Sequence, residues 1–305
     1  MGRRPAAEAE RVSAMSRVRD PAVAGRFYEA APERLTASLR DCFTHPLGPG
    51  RAPEVAADGA GRIAALVSPH AGYMYSGPAA ANGFAALAAD GIPETVVILG
   101  PSHYSSDRRA ALSTADAWRT PLGEVSLDAA LGEAILAKCD LIIGDERPHR
   151  MEHSLEVQVP FLQFVYGDRT PKICPICVRS YPLCPIEEVV ADARAIGEAL
   201  AEVLTGRRAV LIASTDLSHQ MPQDVAERMD RMAIEAALAV DPRRLLDTVV
   251  QNGITMCGPA PVAIALAYCR ALGRVKAELL RYYTSGDIIG DRAGVVGYAS
   301  LVVGA

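Results

Sequence analysis

Three of the six histidines stand in turns just beyond short aliphatic runs: His70 closes RIAALVS-PH, His103 closes TVVILG-PSH and His219 closes AVLIAS-TDLSH. Imidazole is the commonest protein metal ligand and the commonest general base near neutral pH. A single turn histidine can simply be hydrogen-bonded. Three at equivalent places, on runs that read as neighbouring strands, predict a composite site for metal binding, proton transfer or both. Cys257 lies in NGITMCGPAPVAIALAYC, where Asn252-Gly253 ends one helix and Pro259 begins the next. A thiol just ahead of a helix N-terminus meets the positive end of the dipole, which favours thiolate and suits metal ligation. Alone it would read as a small buried hydrophobe; the company of His70 and His103 turns the reading toward a ligand.

Further residues qualify this picture. Asp216, three residues before His219, can hold a ring N–H and fix the tautomer, or form an Asx-turn or helix cap. His153 opens HSLEVQVPFLQF, in which Ser154 can cap a helix carrying Glu156, so pocket and capping roles both stand. Tyr73 and Tyr75, just past His70, are expected to line the pocket. His45 and His149 sit in Pro-flanked loops and read as solvated. Cys174-Pro-Ile-Cys177 mimics a chelating pair, but residues three apart on a strand point to opposite faces. Cys139, Cys184 and Cys269 read as packing residues. The Gly72–Gly77 stretch has neither GxGxxG spacing nor a following Lys, so it offers nucleotide binding no support.

The elements that must position these residues are legible as alternating runs. Strands are expected at Arg62–Ser68, Thr95–Leu99, Lys172–Val178, Ala209–Ser214 and Gly294–Val303. Helices are expected at Pro78–Ala89, Ser126–Lys138, Ile186–Leu204, Asp224–Val240, Pro242–Val250 and Pro259–Leu272. Such alternation predicts an α/β fold: a single domain with a central, mainly parallel or mixed sheet flanked by helices on both faces. In open α/β sheets ligands sit outside the carboxyl ends of the strands, where the three histidines fall. Residues 1–18 read as a flexible N-terminal extension, with Met15 an alternative start, and residues 19–305 as the domain.

The chain carries 31 Lys+Arg against 36 Asp+Glu, a formal charge of −5. Without clustered positive charge, nucleic acid is not expected as a partner. An odd set of seven cysteines in a large chain with no secretory segment reads as reduced and cytoplasmic, and no run is apolar enough to predict a membrane span.

The motifs PAVAGRFYEA, SPHAGYMYSG, GPSHY, EHSLEVQVPFL, STDLSH, CGPAP and TSGD occur in that order from about Val18 onward. Together they resemble the Memo family, called AmmeMemoRadiSam system protein B in bacteria and archaea. That family is similar in fold to the class III extradiol (LigB-like) dioxygenases. The resemblance implies His70, His103 and Cys257 as ligands of one Fe(II) or copper per chain. It further implies a pocket Asp216 and His219, the latter matching the general base of the dioxygenases. Those enzymes use a carboxylate where Cys257 stands, and a thiolate alters the charge and softness of the site. The resemblance therefore implies either a metal-dependent oxidoreductase acting on a small molecule, or a metal-binding adaptor that takes a peptide ligand. In the second case the partners would be an AMMECR1-like protein and a radical SAM protein.

Overall fold

A computed structural model describes residues 17–104, 108–179 and 185–304. Met15, Cys184 and the expected extension up to residue 16 lie outside the described residues. Val18, assigned by sequence to that extension, instead opens a strand.

The chain begins with β1 (Val18–Arg19), α1 (Pro32–Thr44), β2 (Ile63–Ser68), α2 (Tyr73–Asp90) and β3 (Thr95–Pro101). Short strands follow, β4 (Ala110–Leu112), β5 (Ala117–Thr120) and β6 (Gly123–Ser126), then α3 (Ala129–Lys138), β7 (Ile142–Gly144), α4 (Val159–Tyr166) and β8 (Lys172–Val178). The remainder comprises α5 (Ile186–Leu204), β9 (Ala209–Ser214), β10 (His219–Met221), α6 (Gln223–Leu238), α7 (Pro242–Gln251), α8 (Pro259–Ala271), β11 (Lys276–Thr284), α9 (Ser285–Ile289) and β12 (Val295–Gly304).

Four strands, in the order β2-β9-β3-β8, run parallel through the middle of the main sheet. β12 flanks β2 and β4 flanks β8, both antiparallel, so the sheet is mixed. β1, β5 and β6 make a separate small sheet. The expected single α/β domain with helices on both faces is what the chain forms. Alternate side chains of the central strands enter different layers, as the two-residue period requires. Val97, Leu99, Leu211 and Ala213 pack with residues of α5 and α8, whereas Val96, Ile98, Val210 and Ile212 pack with those of α1, α2 and α4. Cys174 belongs to the first layer and Cys177 to the second, so they do not form a chelating pair. Each fully buried Leu or Ile here contributes about 1.5–3 kcal/mol of transfer free energy.

Parallel pairing also sets the register at the functional edge. Ser68 lies beside Ser214 and Leu99 beside Ala213, so the turns carrying His70, Asp216 and His103 leave the sheet side by side. α2 starts at Tyr73 and not at Pro78: the Tyr73 amide donates to Phe27 O at 2.8 Å, and Ser76 Oγ to Ala71 O at 2.9 Å, which holds a turn ahead of the proline. α7 ends as read, with Gly253 in the left-handed region at φ 61°. Among the described residues no helix is long and apolar enough to cross a membrane.

Candidate metal centre

His70 follows β2 and is 2% exposed. Its Nδ1 lies 2.8 Å from Ser214 Oγ on the neighbouring β9. That hydroxyl spends its only proton on Ser154 O at 2.6 Å and also receives Gln158 Nε2 at 2.9 Å. It has no proton left for the ring, so His70 Nδ1 is the donor and Nε2 keeps its lone pair. Burial first, then the neighbouring imidazoles of His153, His103 and His219, push the His70 pKa well below its usual value and keep the ring neutral.

His103 follows β3 and is partly solvent-exposed. Its Nδ1 lies 2.9 Å from Glu152 Oε1, and its amide donates to Glu152 Oε2 at 2.6 Å. A carboxylate can only accept, so Nδ1 carries the proton of this bond and Nε2 is the ring nitrogen left free of Glu152. Glu152 is fully buried and also receives the His153 and Ser154 amides at 2.9 and 2.8 Å. Burial alone would raise its pKa; the His103 ring and these amides outweigh that and hold it at about 2.

Cys257, two residues before α8, brings its Sγ to 3.1 Å from His70 Nε2. The ligand atoms of His70, His103 and Cys257 all lie within 4.8 Å of one another. The helix-dipole expectation for this thiol is reversed: burial, followed by the Asp216 charge, pushes its pKa up. With His70 Nε2 unprotonated, the 3.1 Å contact is one in which the Cys257 thiol donates. Close packing brings the ligand turns together. A Cβ at Gly258 would lie 2.5 Å from Ser214 O, and one at Gly100 would lie 2.5 Å from Ser154 Oγ. At Gly258 the clash is with backbone, and at Gly100 the Ser154 and Leu155 side chains would have to move.

The remaining expected residues divide. Asp216 does not hold the His219 ring; its Oδ1 accepts the His70 amide at 2.8 Å, while its own amide donates to Cys257 Sγ at 3.2 Å. Asp216 thus ties two ligand turns together, and burial raises its carboxyl to about 6. His219 Nδ1 is held instead by Thr255 O at 2.9 Å, and its amide by Thr255 Oγ1 at 2.8 Å. Since a carbonyl only accepts, His219 Nδ1 carries the proton of this bond and Nε2 is the ring nitrogen left free of Thr255. The next residue, Gln220, sits at φ 56°, a conformation costly for a side chain with a Cβ. His153 stacks on His103 at 4.4 Å and meets His70 edge-on at 5.3 Å, and burial lowers its pKa to about 4. His103, Glu152 and His153 form a second group of close donor atoms, though its carboxylate is already taken up by four N–H groups.

Glu156 points away from the centre. Its carboxylate pairs with Arg19 Nη1 at 2.6 Å and accepts Tyr28 OH and the Ala22 and Val23 amides, pinning the N-terminal segment. Tyr73 is likewise a core residue, with its hydroxyl on Val157 O at 2.7 Å and its ring against Phe161. Tyr75 is half-buried with Leu47 and Ile288. Ser154 caps nothing; its hydroxyl goes to Pro101 O. His149 is fully buried, with Nε2 2.9 Å from Ala111 O and its ring against Trp118, contrary to the solvated reading, whereas His45 keeps partial exposure. Glu152, Ser214, Gln158 and Thr255 were not singled out by sequence. Glu152 and Gln158 belong to the motif EHSLEVQVPFL and Ser214 to STDLSH, neither of which holds one of the three ligands, and Thr255 lies outside the motifs.

A family model described as Memo-like protein matches residues 19–302. MEMO1 family protein MK0963 of Methanopyrus kandleri is 44% identical over 286 residues, covering 93% of this chain and 98% of the relative. MEMO1 family protein MTH_45 of Methanothermobacter thermautotrophicus is also 44% identical, with 93% and 99% covered. Among solved structures, the uncharacterized protein JW3007 of Escherichia coli K12 is similar with a TM-score of 0.56 at 14% identity, covering 80% of this chain and 100% of that one. That last likeness is one of fold alone.

Proposed function

The chain belongs to the Memo family, and on that footing we propose that it holds one Fe(II) or copper ion on His70, His103 and Cys257 for redox chemistry on a small molecule or a modified protein group. The observation that carries this reading is the hydrogen-bond accounting around the two histidines. Ser214 and Glu152 engage both Nδ1 atoms, which leaves the two Nε2 atoms as the ring nitrogens for a ligand, and the ligand atoms of His70, His103 and Cys257 lie within 4.8 Å of one another. Two imidazoles and a thiolate suit borderline-to-soft metals, with carboxylate and hydroxyl partners behind the rings in the usual supporting arrangement. When bound, the ion supplies Lewis-acid and electron-transfer chemistry at the positions that the three protein donors leave open.

The chain's own groups do the rest. Cys257 gives up its proton on ligation, so metal uptake releases acid. His219 is the proton-transfer group: Thr255 O holds its Nδ1 proton, which leaves Nε2 to take up or return one. Asp216 keeps the His70 and Cys257 turns in register. Anaerobic titration tests the reading. Wild type should take up about one Fe(II) or Cu(I) per chain, and His70→Ala, His103→Ala and Cys257→Ser should each lose that stoichiometric binding; retention in all three would overturn it.

One observation favours the adaptor reading as an alternative. Tyr104 and Met151, each adjoining a residue of the site, are 49% and 53% exposed. Such an apolar rim suits a peptide or modified side chain, as expected if the chain works with AMMECR1-like and radical SAM proteins. Intact metal binding without any metal-dependent turnover would favour it.

A further inference from the structure

We propose that the amino edge of the parallel strands, opposite the metal centre, binds a small organic phosphate. Two cavities meet there and share Arg207, Arg208 and Ala209 as a common wall. One, of about 280 Å³, is walled by Leu87, Ile92, Pro93 and Tyr166. The other, of about 170 Å³, is walled by Thr95, Asp128 and Lys172. Arg207, Arg208 and Lys172 are exposed, and among the described residues none forms a salt bridge within 4.0 Å, although Lys172 and Arg207 lie close enough to Asp128 to help lower its pKa. Each guanidinium is nevertheless held in place: Arg208 Nη2 donates to Ile92 O at 2.9 Å and Arg207 Nε to Val203 O at 3.2 Å. Their other N–H groups remain for a ligand.

The carboxylates in the same walls are mostly spoken for. Asp90 accepts the Arg62 and Ile63 amides at 2.9 and 2.7 Å. Asp128 accepts Thr95 Oγ1 at 2.5 Å and the Leu131 amide at 3.0 Å. Only Glu94 among the lining residues carries a carboxylate without such a donor. Asp90, Glu94 and Asp128 balance the formal charge of Arg207, Arg208 and Lys172, but Asp90 and Asp128 turn their oxygens to protein donors, so the guanidinium forks and the ammonium are the groups left to meet a phosphate, each fork with two parallel N–H bonds. The apolar wall of Leu87, Ile92 and Tyr166 gives the organic part a place to lie. Cavities of this size take a small molecule, and the formal charge of −5 speaks against a polynucleotide. The site owes nothing to a glycine-rich phosphate loop; side-chain cations do the work.

The test is calorimetric titration of the metal-free chain with phenyl phosphate and with inorganic phosphate. Saturable one-to-one binding is expected, tighter for phenyl phosphate because of the apolar wall. Arg207→Ala or Lys172→Ala should weaken it by about tenfold, the usual worth of a charge-assisted contact. Glu94→Gln should tighten it a few-fold by removing repulsion. His70→Ala should bind as wild type, which separates this site from the metal centre. No saturation at millimolar probe would overturn the proposal. So would unchanged affinity in both the Arg207 and Lys172 variants with wild-type melting, or loss of binding in His70→Ala.

Discussion

Replacing Glu152 by Gln removes one charge and almost no volume, which makes it a sharp probe of the site. The wild-type carboxylate accepts four N–H groups, three on Oε1 and one on Oε2. A glutamine can keep its carbonyl where Oε1 was and so retain the His103 ring and the His153 and Ser154 amides. Its NH2 group then faces the His103 amide, donor to donor. Two losses follow. His103 becomes a weaker ligand once its Nδ1–H no longer rests on an anion, an effect worth roughly 10–100-fold in metal affinity, or about 1.4–2.7 kcal/mol. The metal-free fold also loses a linkage term. The folded pKa is depressed from 4.5 to about 2, so the stabilisation is present above about 4.5 and is lost as pH falls toward 2. Its full size is about 3 kcal/mol. Anaerobic competition against a chromophoric chelator reads the first loss, and urea unfolding of the metal-free chain from pH 3 to 7 reads the second, as a flattened pH dependence in the variant. Metal affinity within twofold of wild type would refute the reasoning, because Glu152 would then not be what aims His103 Nε2. A loss as complete as in His103→Ala, with unfolding unchanged, would refute it differently by making Glu152 itself a ligand.

Three other outcomes are expected. Cys257→Ser should weaken Cu(I) binding most among the cysteine changes, while Cys174→Ser, buried in the layer of α5 and α8, should leave it unchanged; equal losses by titration would mean that the wrong sulfur has been identified. His219→Ala should retain stoichiometric metal and cut any metal-dependent turnover by about 10² to 10⁴, whereas His70→Ala should abolish both, as measured by bound metal and by rate. Burial pulls the His149 pKa down to about 4, so the unfolded chain binds the proton more readily and stability should fall as pH drops from about 6.5 to 4, by up to about 3 kcal/mol. His149→Gln should flatten that part of the urea profile, and an unflattened profile would show that His149 does not set it.

The parts of the fold legible in the sequence are those whose burial leaves a local mark. β2, β3, β8 and β9 are covered on both faces and read as unbroken aliphatic runs, and α5 was bounded residue for residue between Pro185 and Thr205. β11 was not seen, because KAELLRYYT pairs on one side only and is mostly half-buried or exposed. The site follows the same division. His70, His103 and His219 could be read because strand ends are local features. Their pairings could not: Glu152 is 49 residues from His103, and Asp216, read as a partner of nearby His219, is 146 residues from the His70 whose amide it accepts. Nor could the Pro-flanked setting of His149 foretell its burial under Trp118. The upward pKa of the Cys257 thiol has the same origin, since a dipole argument uses only the helix that follows Cys257, whereas burial comes from all that surrounds it.

The segment from His149 to Gln158 explains why these partners are long-range. It carries no metal ligand of the central trio, yet it supplies Glu152 to His103, Ser154 O and Gln158 Nε2 to the hydroxyl beneath His70, and Glu156 to the N-terminal strand. A crossing segment of this kind orients rings that the strand ends merely deliver. Both Nε2 atoms are left free only because its carbonyl and carboxylate oxygens hold the protons behind the rings. A change there should therefore act on ligand geometry without touching a ligand.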